Sequence, residues 1–325
     1  MKRVLVTGGA GFIGSTLSAA LLARGDAVVA LDDLSTGNRE NIEAALQSER
    51  FTFAVGDVRD AALVERLTSG CDTVVHLAAR VGLKVVIASP LETMRCNIAG
   101  TEVVLEAATR FGCRTLVASS SELYGLSTRI PSSESDPIAF GSPTNPRWSY
   151  ACSKAADEFL ALALARERRL PATAVRLFNT VGPHQSARYG MVLPRFVRQA
   201  LAGEPLTVYG DGTQTRCFCH VDDVVRALLL LLDASATVGD VLNLGNPQEI
   251  RIVDLAQRVI AATDSSSEIR FVPFDEAYEA GFEDIARRVP NIEKIRAAIG
   301  FEPRIQIDEI VTSMVDSVRS ELEPV

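Results

Sequence analysis

Val4-Leu5-Val6-Thr7-Gly8-Gly9-Ala10-Gly11-Phe12-Ile13-Gly14 runs into an amphipathic stretch ending at Arg24 and then into Ala27-Val28-Val29-Ala30-Leu31-Asp32. The order is strand, glycine loop, helix, strand, acid. Apolar β-formers carry the chain to a tight turn, and glycines at 8, 11 and 14 let backbone and helix approach a pyrophosphate closely. The positive end of the helix then faces those phosphates. Asp32, eighteen residues beyond Gly14, ends the second strand where a carboxylate accepts hydrogen bonds from a ribose. It would repel a 2'-phosphate, so the expected dinucleotide is NAD and not NADP.

Further along, apolar strand segments keep alternating with helical ones. Strands are expected over 51–57, 73–78, 115–119 and 172–177, and helices over 15–24, 39–49, 61–68, 90–111 and 149–168. This alternation predicts an α/β fold of Rossmann type, a doubly wound parallel sheet. After residue 179 prolines break the pattern, with helices expected over 193–201 and 253–262. The expected division is an NAD-binding domain over 1–178 and a smaller, mostly C-terminal α/β substrate domain over 179–325. A helix over 222–232 and a strand over 241–244 allow segments around 215–245 to return to the main sheet.

The 325 residues are 47% hydrophobic and 23% charged, enough for a substantial core, and the net charge is −8 with acids and bases interleaved. The footprint of a nucleic-acid binder is missing, so neither polynucleotide nor membrane is an expected partner. The first strand begins at once and the apolar run 227–232 is too short to span a bilayer, which places the protein in the cytoplasm as an expectation. Six scattered cysteines form no disulfide framework. Cys217-Phe218-Cys219-His220 lacks a second ligand pair at zinc-site spacing and reads as strand residues; no metal is expected.

Chemistry enters with Tyr150-Ala151-Cys152-Ser153-Lys154. Four residues apart on a helix, Lys154 sits beside Tyr150, and an ammonium near a phenol favours the phenolate, a usable general base. A packed tyrosine and a solvated lysine would give the same pair. Upstream, Ser119-Ser120-Ser121-Glu122-Leu123-Tyr124-Gly125 follows the fifth strand at its C-terminal end, the edge where ligands of open α/β sheets bind. Ser120 there can bond the substrate oxygen that Tyr150 deprotonates, or it can cap a helix.

Together these residues resemble the extended short-chain dehydrogenase/reductases, specifically the NAD-dependent nucleotide-sugar epimerases, dehydratases and decarboxylases. The matches are Gly8, Gly11, Gly14; Gly56-Asp57-Val58; His76-Leu77-Ala78-Ala79; Asn97; the 119–125 block; Tyr150 and Lys154; Arg176-Leu177-Phe178-Asn179-Thr180-Val181-Gly182-Pro183; Val208-Tyr209-Gly210-Asp211-Gly212; Gln214; Arg216; and His220-Val221-Asp223. The resemblance implies cofactor contacts from Gly8, Gly11, Phe12, Ile13, Gly14, Asp32, Asp33, Leu77 and Asn97. Asp57 and Val58 would line the adenine, Ala78 and Ala79 the phosphate side, and Lys154 the nicotinamide ribose while assisting Tyr150. It implies catalytic roles for Ser120, Tyr150, Lys154 and Glu122, and substrate contacts from Ser120, Ser121, Asn179, Thr180, Arg188, Tyr209, Gln214 and Arg216, with Arg216 on a nucleoside diphosphate. Asp57 as a turn cap and His76 as a packed strand histidine are the plain alternatives.

Enzymes of this kind oxidise the sugar 4-hydroxyl to a 4-ketone over a retained NAD. A dehydratase places an Asp-Glu pair in the serine block; Ser121 stands at the Asp position, and serine is a poor general acid. Glu122 and Pro146-Arg147-Trp148 are similar to UDP-glucuronate decarboxylases, whereas Gln185-Ser186-Ala187-Arg188-Tyr189-Gly190 resembles bacterial 4-epimerases acting on UDP-glucuronate. Arg188 either holds a sugar carboxylate or is an ordinary loop arginine. The ranking is UDP-glucuronate 4-epimerase, then UDP-glucuronate decarboxylase, then UDP-glucose 4-epimerase. A non-catalytic NAD-sensing regulator on the same fold is disfavoured by Ser120, Tyr150 and Lys154 occurring together. Apolar stretches on the helices over 97–111 and 149–168 predict a homodimer through a four-helix bundle.

Overall fold

The computed structural model describes residues 1–186, 190–277 and 285–322. Seven parallel strands form the central sheet in the order β11-β6-β5-β4-β1-β2-β3. They are β1 (Arg3–Thr7), β2 (Ala27–Asp32), β3 (Phe51–Val55), β4 (Thr73–His76), β5 (Arg114–Ser120), β6 (Ala172–Leu177) and β11 (Asp240–Leu244). Both faces are covered, so β1, β4 and β6 read as nearly unbroken buried runs instead of alternating ones.

One face is packed by α3 (Ala61–Thr68), α5 (Pro90–Phe111) and α6 (Trp148–Arg168), with α4 (Leu83–Ala88) leading into α5. The other carries α1 (Phe12–Arg24), the short α2 (Glu43–Leu46), α8 (Val221–Asp233) and α11 (Glu293–Ile299). α1 has no polar outer face: Ser15, Thr16 and Ser18 bond back to its own carbonyls, and α8 packs alongside it. The stretch expected as one helix over 39–49 is a 3-10 turn at Arg39–Ile42 followed by α2. Asn38 caps Glu40 N, and the turn tightens before an α-helix can settle.

A second layer lies beyond β6. Here β7 (Thr180–Val181) pairs with β10 (Cys219–His220), β8 (Leu206–Tyr209) with β13 (Ile269–Val272), and β9 (Thr215–Cys217) with β12 (Glu249–Arg251). α7 (Val192–Leu201), α9 (Ile252–Thr263) and α12 (Ile307–Leu322) enclose a separate apolar core around Phe196, Leu255 and Met314, with the short α10 (Phe274–Ala277) nearby. Among the described residues no helix is long and apolar enough to cross a membrane.

Strand order reverses between β1 and β4, and the crevice outside the carboxyl ends of those strands is where open α/β sheets bind ligands. A cleft of about 2000 Å³ opens there and runs on to the second layer.

Candidate active site

The loop after β1 sets the cofactor end. Gly8 takes φ +70°, and a Cβ there would lie 2.9 Å from Ala78 N; a Cβ on Gly14 would lie 2.0 Å from Gly8 O. A side chain at either position would collide with the protein's own backbone, so the glycines let the loop lie close to the segment after β4 and to the start of α1. Gly11 caps α1 without a side-chain bond, leaving the amides of the first turn, Phe12 and Ile13 among them, directed at the cleft. Asp32 is buried, and its carboxylate accepts from Ala10 N at 3.0 Å and Leu34 N at 2.8 Å. Burial pushes its carboxyl up against those two bonds. Asp33 stands beside it in the wall, and the two carboxylates would repel a 2'-phosphate.

Val58, Leu77, Ala78 and Ala79 line the cleft. Asp57 and Asn97 are not among its lining residues. The Asp57 carboxylate is taken by Arg59, whose other end reaches Glu92 at 2.7 Å. Asn97 is buried, accepting from Arg80 N at 2.8 Å and donating to Ser153 Oγ at 2.9 Å, so it ties the loop after β4 to α6 from behind. His76 bridges Thr7 Oγ1 at 2.7 Å and Thr101 Oγ1 at 3.0 Å. Burial, with the Lys154 charge adding to it, pushes His76 down to about 3, which makes it a neutral packed histidine.

The reacting groups converge from β5 and α6. β5 ends at Ser120, whose Oγ accepts from Glu122 N at 3.2 Å and whose hydroxyl, near the Tyr150 phenol, favours its ionised form. Lys154 lies one turn beyond Tyr150, as the spacing predicts, and donates to Asp157 Oδ2 at 2.9 Å. Burial pushes the Tyr150 phenol up; Lys154 and Ser120 pull it down, while Glu122 and Asp157 oppose them. α6 is anchored by Glu158, which accepts from Ser119 Oγ at 2.5 Å and pairs with Arg176 at 2.7 Å, so serine block and tyrosine helix are held as one body.

Ser121, Asn179, Thr180, Tyr209, Gln214 and Arg216 line the same cleft beyond Tyr150. Asn179 donates to Cys217 O at 2.9 Å, Gln214 to Tyr209 O at 2.8 Å, and the Arg195 guanidinium lies 4.2 Å from the Tyr209 ring centre. Arg188 lies outside the described residues. Cys217 and Cys219 are strand residues with buried thiols, and among the described residues no cluster of three His, Cys, Asp or Glu could hold a metal ion.

Arg288 is the site residue that sequence reasoning missed. It arrives from the chain after β13 and pairs with Glu122 at 2.6 Å, while Arg147 meets the other Glu122 oxygen at 3.3 Å. Burial works against the Glu122 charge, yet Arg288 and Arg147 hold its carboxyl below the usual range. Arg147 is itself buried and lies over the Trp148 ring at 4.9 Å. No local motif announces Arg288, whereas Arg147 was legible in Pro146-Arg147-Trp148.

A glycine-lined dinucleotide crevice facing a serine, tyrosine and lysine defines a hydride-transfer enzyme of the short-chain dehydrogenase/reductase type. The chain belongs to the NAD dependent epimerase/dehydratase family, which matches residues 4–245, and NAD is its cofactor. It is 38% identical over 309 residues to a UDP-N-acetyl-alpha-D-glucosaminuronate decarboxylase of Bacillus cytotoxicus, covering 95% of each chain. It is 37% identical over 322 residues to UDP-glucuronic acid decarboxylase 1 of Xenopus tropicalis, covering 99% of this chain and 73% of that one. Among solved structures it resembles UDP-glucuronic acid 4-epimerase from Bacillus cereus in complex with UDP-glucuronic acid and NAD, with TM-score 0.87, 27% identity, and 98% and 99% of the two chains covered.

Proposed function

We propose that this protein is an NAD-dependent decarboxylase of a UDP-hexuronate, either UDP-glucuronate or its 2-acetamido counterpart. The observation that carries the reading is Glu122 held ionised between Arg288 and Arg147 beside Tyr150. A carboxylate locked in this way is no proton donor for a departing hydroxyl, which argues against dehydration together with Ser121. The arginines instead give the sugar end of the cleft a positive lining suited to a substrate carboxylate and to the negative charge left when it departs. The two decarboxylases named above support this order of preference, which reverses the ranking drawn from the sequence, where the 4-epimerase stood first.

Tyr150 takes the proton of the sugar 4-hydroxyl, with Ser120 bonding the same oxygen. NAD, when bound, accepts the 4-hydride and returns it, and its positive ring adds to the pull of Lys154 on the Tyr150 proton. The resulting 4-keto sugar carries its carboxylate β to the ketone, so the C5–carboxyl bond breaks with its electron pair passing into an enolate and carbon dioxide leaving. C5 then takes one proton, and Tyr150 returns its own proton to the 4-oxygen during reduction. One proton is consumed per turnover and NAD is unchanged.

The 4-epimerase is the second reading, favoured by the likeness to the Bacillus cereus structure. Product separation after incubation with each UDP-hexuronate distinguishes them: a UDP-pentose with carbon dioxide supports decarboxylation, and an inverted hexuronate overturns it. The exposed Phe159 on α6, with the half-buried Leu162 beside it, supports a homodimer through α5 and α6. Its mass by light scattering would be twice the 34.9 kDa of one chain.

A further inference from the structure

Three residues beyond Lys154, the same helix carries Asp157. Both side chains of the Lys154–Asp157 pair are buried, 3% and 0% exposed. Asp157 Oδ1 is buried with no hydrogen-bond partner. A carboxylate taken out of water loses several kcal/mol of hydration, and one bond to an ammonium returns only part of it. An apolar residue here would leave the buried Lys154 ammonium unpaired, so the acid at this position is tied to Lys154 and not to the packing of α6 itself.

The groups facing the pair differ in kind. From the end of β5 comes Ser120 and from the turn that follows it Glu122, both acting on the Tyr150 phenol next to Lys154, the latter with Arg147, Arg288 and Arg216 around it. From β4 comes the neutral His76, and from α5 comes Cys96, a thiol pushed up by burial. Among the described residues Asp157 is the anion in contact with Lys154.

We propose that Asp157 is a positioning residue for the Tyr150–Lys154 pair. Its hydrogen bond fixes the Lys154 ammonium, leaving two donor protons for the cofactor's ribose hydroxyls, and its negative charge offsets part of the ammonium's pull on the Tyr150 proton. Asp157 thereby sets the pH at which the phenolate becomes available. The inference rests on the reading of Tyr150 as the group that takes the sugar hydroxyl proton.

The test is an ultraviolet difference titration of the phenolate in the NAD-loaded protein, wild type against Tyr150→Phe, repeated in an Asp157→Asn background. Seven positions on a helix are roughly 10 Å, and one unit charge removed at that distance with an effective dielectric of about 20 moves the midpoint down by about one pH unit. The acidic limb of the turnover profile moves the same way, and Asp157→Glu, which keeps the charge within reach of Lys154, restores both. Asp157→Ser carries the same test should the Asn variant not accumulate. A purely structural Asp157 would lower stability and rate and leave the midpoint in place, which overturns the proposal. Turnover by Tyr150→Phe would overturn the reading of Tyr150; an unmoved titration with Tyr150→Phe inactive overturns only the role given to Asp157.

Discussion

Replacing Arg288 by Gln removes the nearer of the two guanidinium groups from Glu122, whose side chain is only 22% exposed. Breaking a buried pair from one side costs about 3–5 kcal/mol when the remaining charge stays unpaired. Arg147 at 3.3 Å remains, so the lower end, about 3 kcal/mol, is expected. For a 325-residue chain the unfolding entropy converts this to a Tm loss of roughly 4–5 °C.

The loss depends on pH, with a definite sign. In the wild type the folded Glu122 pKa lies below its ordinary value, so its contribution is present above that value and fades as pH falls through the folded pKa. In Arg288→Gln burial dominates and the folded pKa rises. The variant is then relatively most stable below the ordinary carboxyl range and loses stability as pH rises towards neutrality. Calorimetry of wild type, Arg288→Gln, Glu122→Gln and the double variant, at pH 5 and pH 8 with saturating NAD, reads both effects. The double variant should recover part of the loss at pH 8, because Glu122 no longer carries a charge, while the buried Arg147 loses its carboxylate and keeps its place over the Trp148 ring. Small, additive, pH-independent losses would refute the claim that Glu122 is held ionised by Arg288.

Tyr150→Phe should keep NAD bound and lose about 10²–10⁴-fold in kcat, the usual contribution of a positioned acid–base group; steady-state assays and the cofactor content of the purified protein check this. Gly14→Ala places a Cβ 2.0 Å from Gly8 O, so the loop must open and NAD should no longer copurify, read by the absorbance of the released cofactor.

Much of this was legible in the sequence because the signals are local. The loop over 8–14 and Asp32 carry their own reasons, and Tyr150 with Lys154 needs only the pitch of a helix. The parallel sheet followed from the alternation of strands and helices; the order of its strands is set by long-range pairing and comes from the structure. What was not legible depends on long-range closure. Arg288 reaches Glu122 only once the segment after β13 folds back over the serine block, where Asn291 O accepts from Asn243 Nδ2 at 3.1 Å. α4 is six residues long and starts after Gly82 at φ +104°, so it offers too few periods to be read. The burial of Asp157 escaped notice because an acid on a helix beside a lysine ordinarily reads as a solvated pair.

The most direct measurement of the central claim is turnover of UDP-glucuronate and of its 2-acetamido counterpart in deuterated water, with the products identified by mass and NMR. The account predicts one carbon dioxide per UDP-pentose, one deuterium at C5 and none at C4, because the hydride leaves and returns within one active site. A hexuronate product that keeps its carboxylate would contradict it.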